Sequence, residues 1–221
     1  MELAVNYRRW IFDIVRPYLG ARVIEVGAGM GAFSRTMLAS GVVEHLIALE
    51  PAENLYPILS GRLREDPRAL AMRAYLEGLQ MEGVADSLIA VNVMEHIEDD
   101  GRFLRSAHCA LVPAGTILLL VPALPWLYGS LDREFGHYRR YLKSDLARRM
   151  DEAGFRIELL RYMNFTGILS WFVAGRVLRR RTIAPFQVRF YDGLVIPVIH
   201  HVENTIKAPV GQSLIAVGRR S

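Results

Sequence analysis

The segment Val23-Ile24-Glu25-Val26 is a short aliphatic run that leads straight into Gly27-Ala28-Gly29-Met30-Gly31, three glycines spaced two apart. Short continuous runs of this kind mark strands buried on both faces of a parallel sheet. Glycines at the end of such a strand let the backbone turn sharply and approach a ligand with no Cβ in the way. A second apolar run ends in an acid at Glu50, 19 residues after Gly31. Together the two features point to an open α/β sheet with a nucleoside pocket beyond its strand ends.

Spacing selects among nucleosides. A dinucleotide fingerprint needs its third glycine three positions after the second, where it helps seat a pyrophosphate on a helix N-terminus. Here the third comes two after, and no Gly-Lys-Ser/Thr ending exists to place a lysine on a triphosphate. The Glu25 carboxylate, two residues before the glycines, repels a pyrophosphate and attracts an ammonium group. Glu50 stands close to the roughly 20-residue spacing of a ribose-binding acid. A ribose joined to a cationic amino acid is S-adenosylmethionine.

The remaining pattern alternates. Residues 5–19 place Val5, Trp10, Ile11, Ile14, Val15, Tyr18 and Leu19 at helical spacing, with Gly20 as a stop. Strands are expected at 22–26, 45–50, 70–73, 87–92 and 116–121, with helices near 31–39, 53–64 and 99–110 between them. A helix over 143–153, stopped by Gly154, precedes strands at 155–161 and 213–218. Such alternation produces right-handed crossovers and a parallel sheet. Residues 162–212 form an insert too long to be structureless. Its apolar content predicts two helices, the second kinked or interrupted at Pro197. Sheet cover or a homodimer interface is the ordinary use for such helices, and the lining of an apolar acceptor site is the functional one.

Four segments taken in order resemble the class I S-adenosylmethionine-dependent methyltransferases, of the small-molecule (type 11/12-like) group. They are Glu25 to Gly31, Ala48-Leu49-Glu50-Pro51, Asp86 to His96, and Leu111-Val112-Pro113-Ala114-Gly115, read as a turn, followed by the strand Thr116 to Val121. The likeness covers about residues 20–160. It implies a Rossmann-like three-layer α/β sandwich with a seven-stranded, mostly parallel sheet whose last strand is antiparallel. It also implies S-adenosyl-L-methionine as cofactor, held by Glu25, Gly27, Ala28, Gly29, Gly31, Glu50 and Pro51. Asn92, Met94 and His96 are implied as cofactor wall, with Glu95-His96 beside it. Tyr75 stands where such proteins often carry an adenine-binding Asp, which leaves adenine to the Leu76 backbone, to packing, or to Glu77.

Methyl transfer from a sulfonium is an in-line displacement, so a protein of this kind mainly aligns the reactants, excludes water and, for a weak nucleophile, supplies one base. The candidate region is Leu131 to Tyr141, just past the fifth strand. His137 is the candidate base, with Asp132 to orient it. The alternative is a structural ion pair of Asp132 with Arg139 or Arg140, and His137 bonded to a backbone carbonyl. No metal site is expected: Asp99 and Asp100 sit at a helix start, where acids meet the dipole, and His200-His201 lacks partners at ligand spacing.

A length of 221 residues with 52% hydrophobic content fits a single domain over residues 1–221, with 162–212 as its helical insert. The lone Cys109 excludes an internal disulfide, fits a reducing cytoplasm and is expected to pack within a helix. Residues 1–10 lack the pattern of a signal peptide, and the uncharged stretch 163–175 is too short to span a bilayer.

Residues 1–131 hold 11 basic and 15 acidic side chains and residues 132–221 hold 16 and 8, giving −4 and +8. The basic part suits an anionic or lipid-linked small-molecule acceptor, and Arg179-Arg180-Arg181 beside Trp171 and Phe172 suits peripheral contact with lipid headgroups. A solvated basic face is the plain alternative. Nucleic acid as substrate is disfavoured, because Asn92-Val93-Met94-Glu95 stands where an Asn/Asp-Pro-Pro-aromatic signature belongs and no Pro-Cys nucleophile exists. A non-catalytic cofactor-binding subunit is the other alternative.

Overall fold

A computed structural model describes residues 2–221, leaving Met1 outside. In chain order the elements that matter are α1 (Val5–Val15), β1 (Arg22–Val26), α2 (Ala32–Ala39), β2 (His45–Leu49), α3 (Tyr56–Leu63), β3 (Ala69–Met72), β4 (Ala85–Val91), α4 (Asp100–Ala110) and β5 (Leu111–Pro122). There follow α5 (Ser130–Glu134), α6 (Lys143–Glu152), β6 (Phe155–Met163), α7 (Thr166–Trp171), α8 (Pro185–Phe190), α9 (Ile196–Thr205) and β7 (Ser213–Arg220). The strands form one sheet of order β3-β2-β1-β4-β5-β7-β6. The first five run parallel, and β7 lies antiparallel between β5 and β6. This is the Rossmann-like sandwich that the family resemblance implied.

Period-two alternation sends neighbouring side chains to opposite faces. Ile24, Ile117 and Leu119 join Phe103 and Leu104 of α4 and Leu146 and Met150 of α6 in one core. Val23 and Leu118 join Trp10 and Ile11 of α1, Met37 of α2 and Ile196 and Ile199 of α9 in the other. The strands read as continuous aliphatic runs because both faces are covered.

Strand order reverses between β1 and β4, so their exits diverge and open a crevice at the carboxyl edge. Three differences from the expected elements matter. The leading helix stops at Val15 and tightens to a 3₁₀ turn over Arg16–Tyr18, because Pro17 offers no N–H. The fifth strand starts at Leu111, pairing with Ala85, where a turn was expected; the irregularity is a register shift with Ala114 at φ 60°. In the insert, Pro197 does not break the second helix: π-type turns over Tyr191–Val195 widen the backbone just before it, and the helix runs on to Thr205. Cys109 lies in α4 as expected, but exposed rather than packed.

Candidate active site

Gly27 and Gly29 leave β1 with φ of 67° and 58°, a region costly for residues bearing a Cβ. They serve different ends. A Cβ on Gly27 would lie 2.5 Å from Cγ2 of Val93, so this glycine lets the β1 and β4 exits pack together. A Cβ on Gly29 would meet nothing within 4 Å, because it would project into open cavity. The Gly29 amide donates to Oε2 of Glu50 at 2.7 Å, while Oε1 of Glu50 accepts from the Ala52 amide at 2.9 Å. Gly31 begins α2, its amide donating to the Ala28 carbonyl. Glu50 thus ties the glycine loop to the end of β2, with one free lone pair on each oxygen. Gly29→Asp is expected to fold, its side chain having room, yet to reduce S-adenosylmethionine affinity at least 100-fold by filling and charging the cradle. Calorimetry showing wild-type affinity would remove Gly29 from the pocket.

Glu25 points from β1 into the same space, buried and accepting from the Ser34 hydroxyl of α2. Burial pushes its carboxyl up to about 8, Glu50 adds to the rise, and the Ser34 hydrogen bond opposes it. An ammonium beside it would restore the charged form, so this group fits the amino-acid end of the cofactor.

Several expected wall residues turn elsewhere. The Met94 side chain is fully buried in the core and only its carbonyl is engaged, by Tyr141 at 3.3 Å. Leu76 likewise packs in the core, because its short 3₁₀ turn lies against α4. Neither they nor Gly31, Glu50, Pro51 and Glu77 border the crevice cavity, whereas Glu25, Gly27, Ala28, Gly29, Asn92 and His96 do. Tyr75 is 68% exposed.

The crevice cavity, about 710 Å³, extends from the glycine loop past the β4 exit to His137, Arg140 and Trp171. Its far wall is organised by Asp132 of α5, which is wholly buried and accepts four hydrogen bonds. Oδ1 takes Arg140 Nε at 2.6 Å and His137 Nδ1 at 3.0 Å; Oδ2 takes the Gly129 amide at 2.9 Å and Trp171 Nε1 at 3.0 Å. Burial alone would raise its pKa, but the His137 hydrogen bond, the Arg140 charge and the Trp171 bond outweigh it and hold the carboxyl down at about 2. Asp132 therefore does both things weighed for it, pairing with Arg140 and fixing His137. Arg139 pairs with Asp100 instead, at 2.9 Å.

With Nδ1 committed to Asp132, His137 is left with Nε2, which lies 4.0 Å from Oε1 of Glu95. The Tyr138 amide donates to the Glu95 carbonyl at 2.8 Å, stitching this loop to the β4 exit. Glu95 is fully buried, and neither carboxyl oxygen meets a hydrogen-bond partner among the described residues. Burial pushes it up to about 8, Asp132 adding to the rise and Arg140 opposing it. Both Glu25 and Glu95 titrate well above the ordinary 4.5, so their folded forms favour the proton. Stability linked to them is full below pH 4.5 and is lost as pH rises to about 8. The Tm of the free protein is expected to fall over that window, and Glu95→Gln to remove part of the fall, on the order of 5 °C. Calorimetric scans of both proteins across the window check this.

Ligating atoms of Glu95, His96 and His137 lie within 4.8 Å of one another, the donor set of a metal site. The acids weighed earlier for metal are otherwise engaged. Asp99 caps α4 through the Arg102 amide, and Asp100 accepts from Tyr141 and Arg149. A further cavity of about 770 Å³ lies against α1 and α2. Of the arginines that line it, Arg62 and Arg68 are paired with Glu2 and Asp66, and no glycine turn borders it.

Some residues reach the crevice from parts of the chain that carry no local signal. Tyr7, whose hydroxyl donates to Ser213 at 3.0 Å, and Gln212 come from elements far apart in the chain, and no local spacing signals them. Glu95, which the resemblance sets beside the cofactor with His96, and Phe135, within the 131–141 candidate region, do border the cavity.

The match to known proteins agrees with this geometry. The family described as "Methyltransferase domain" matches residues 7–160. A ubiquinone biosynthesis O-methyltransferase of Caulobacter sp. (strain K31) is 28% identical over 106 residues, 47% of this chain and only 41% of that relative. An S-adenosylmethionine-dependent methyltransferase from Mesorhizobium loti superposes with a TM-score of 0.64 at 15% identity, over 96% of this chain and 98% of its own. A Haemonchus contortus phosphoethanolamine N-methyltransferase, solved with S-adenosyl-L-methionine, superposes with a TM-score of 0.65 at 18% identity, over 100% of this chain and 57% of its own. The chain thus belongs to the methyltransferase-domain family, and its fold is that of S-adenosylmethionine-dependent methyltransferases.

Proposed function

We propose that the protein methylates a hydroxyl oxygen on an apolar, lipid-linked acceptor that carries negative charge. The observation behind this reading is the buried Asp132–His137 pair at the wall of the cofactor crevice. A hydroxyl is a weak nucleophile and needs a base as it attacks, whereas a free amine does not. Bound S-adenosylmethionine supplies an electrophilic methyl group.

The chain's residues do the rest. Asp132 accepts from Nδ1 of His137, which directs Nε2 to the cavity as the atom that takes the hydroxyl proton. The buried Asp132 carboxylate stabilises the imidazolium so formed. Glu95, protonated at neutral pH, sets no competing negative charge beside Nε2. Trp171 and Phe135, with ring centroids 6.2 Å apart, offer an apolar wall for the acceptor and exclude water. The Caulobacter relative is named for an O-methylation, which supports an oxygen acceptor.

The test is turnover of S-adenosylmethionine with isoprenoid and polyketide hydroxyls, carboxylates and acidic sugars, with and without an apolar tail. Turnover is expected with apolar hydroxyl acceptors, and to survive chelation by EDTA. Turnover confined to hydrophilic amines overturns the reading. Loss on chelation with recovery on adding zinc or manganese would instead make Glu95, His96 and His137 metal ligands.

A further inference from the structure

The insert between β6 and β7 presents an apolar surface that nothing in the protein covers. Along its second helical stretch, Phe186, Phe190, Leu194 and Val198 recur every four residues, each 60–71% exposed. Leu169 and Val177 of the first stretch are 69% and 60% exposed. The opposite face of the second stretch is also apolar and is already used: Ile196 and Ile199 pack in the core, and His200 lies 5.3 Å from the Trp10 ring of α1. A helix with one apolar face buried and a second apolar face outward needs a second apolar medium.

Charge identifies that medium. The insert contains two acids, Asp192 and Glu203, and both are turned inward. Asp192 accepts from the Asn6 and Tyr7 amides, each at 2.9 Å, and Glu203 from the Asn164 and Phe165 amides at 3.0 and 2.8 Å. Arg179, Arg180, Arg181, Arg189 and Lys207 are exposed and form no ion pair with an acid among the described residues. The outward side of the insert is therefore apolar and cationic, with no exposed acid. A second copy docking through the same face would bring these cations together, and a nucleic acid would leave the phenylalanines unmatched.

We infer that this face docks on the surface of an anionic phospholipid bilayer, apolar side chains entering the headgroup boundary and arginines meeting lipid phosphates. The contact is peripheral, because no helix of the described residues is long and apolar enough to cross a membrane. The surface adjoins the crevice: α7 exposes Leu169 while its Trp171 bonds Asp132 and lines the cavity. A lipid-linked acceptor would thus be met at the membrane. Docking itself does not rest on the methyl-transfer reading, and its test uses no methyl donor.

The test is sedimentation of the full chain with vesicles of phosphatidylcholine alone and of phosphatidylcholine with phosphatidylglycerol. Binding is expected to the anionic vesicles and to weaken as salt rises. Arg179→Glu/Arg180→Glu/Arg181→Glu is expected to weaken it on the order of 100-fold. Phe186→Ser/Phe190→Ser/Leu194→Ser, all at exposed positions, is expected to abolish it while leaving the melting temperature and S-adenosylmethionine affinity unchanged. Failure of the folded wild type to sediment with anionic vesicles overturns the inference. So does concentration-dependent dimerisation that the serine variant abolishes, which would make the face an interface between copies.

Discussion

Asp132→Ala is expected to destabilise the protein by about 3–5 kcal/mol, the range for stripping a buried charge of its partner. Asp132 has no solvent exposure and accepts from four donors on three segments: α5, the 137–140 loop and α7. Without it the Arg140 guanidinium, whose side chain is 1% exposed, keeps one hydrogen-bond acceptor, the Ala123 carbonyl at 3.0 Å, and the Trp171 ring at 4.8 Å. The Trp171 indole loses its acceptor as well, so the insert loses one of its ties to the crevice wall. Denaturant unfolding measures the loss, and a change below 1 kcal/mol would contradict this account of the wall. The pH dependence has a definite sign. The Asp132 carboxyl lies at about 2 in the folded protein, below its ordinary 3.8. Its contribution is therefore present above the ordinary value and lost as pH falls toward 2. In Asp132→Ala that acid-labile part of the stability should be absent.

His137→Ala is expected to lower kcat by roughly 10²–10⁴-fold, the usual weight of general base catalysis, with S-adenosylmethionine affinity unchanged. The separation follows from position: His137 stands with Asp132 and Trp171, while Glu25, Gly29 and Glu50 bond one another's segments around the glycine loop. The pH–rate profile distinguishes a base from a structural residue. An acidic limb in the wild type should disappear in His137→Ala, and His137→Gln, which keeps a hydrogen-bonding group facing Asp132, should not restore the rate. Full activity in His137→Ala would remove the base from the mechanism. If kcat is retained while the melting temperature falls, His137 is part of the wall only.

Most of the scaffold was legible in the chain because its signals are local. Apolar runs at 22–26, 45–50 and 116–121 become strands within a few residues of those limits, since strands buried on both faces must be apolar throughout. The glycine spacing and Glu50 show the same directness: three positive φ values and one carboxylate bonding the Gly29 amide join neighbouring strand ends. Where local signals compete, the sequence is ambiguous. Pro197 suggested a break, but π turns upstream absorb it. Met94 sat at a plausible wall position, but it occupies a 3₁₀ turn that directs its side chain into the core.

The sequence by itself determined the sheet, the cofactor loop and the segment that carries the Asp132–His137 pair. Spacing along one strand or one turn sets which groups lie side by side, and backbone geometry permits few alternatives. Only the tertiary structure decided that Asp132 is saturated by four donors, that Glu95 is buried without a partner beside His137, and that Tyr7 and Ser213 meet at the crevice. These depend on contacts between residues up to 206 positions apart, where no periodicity operates and burial alone sets which polar group finds a partner. The outward face of the insert is of the same kind. An apolar residue at helical spacing reads identically in sequence whether it faces core or exterior, and only packing shows that Phe186, Phe190, Leu194 and Val198 face out.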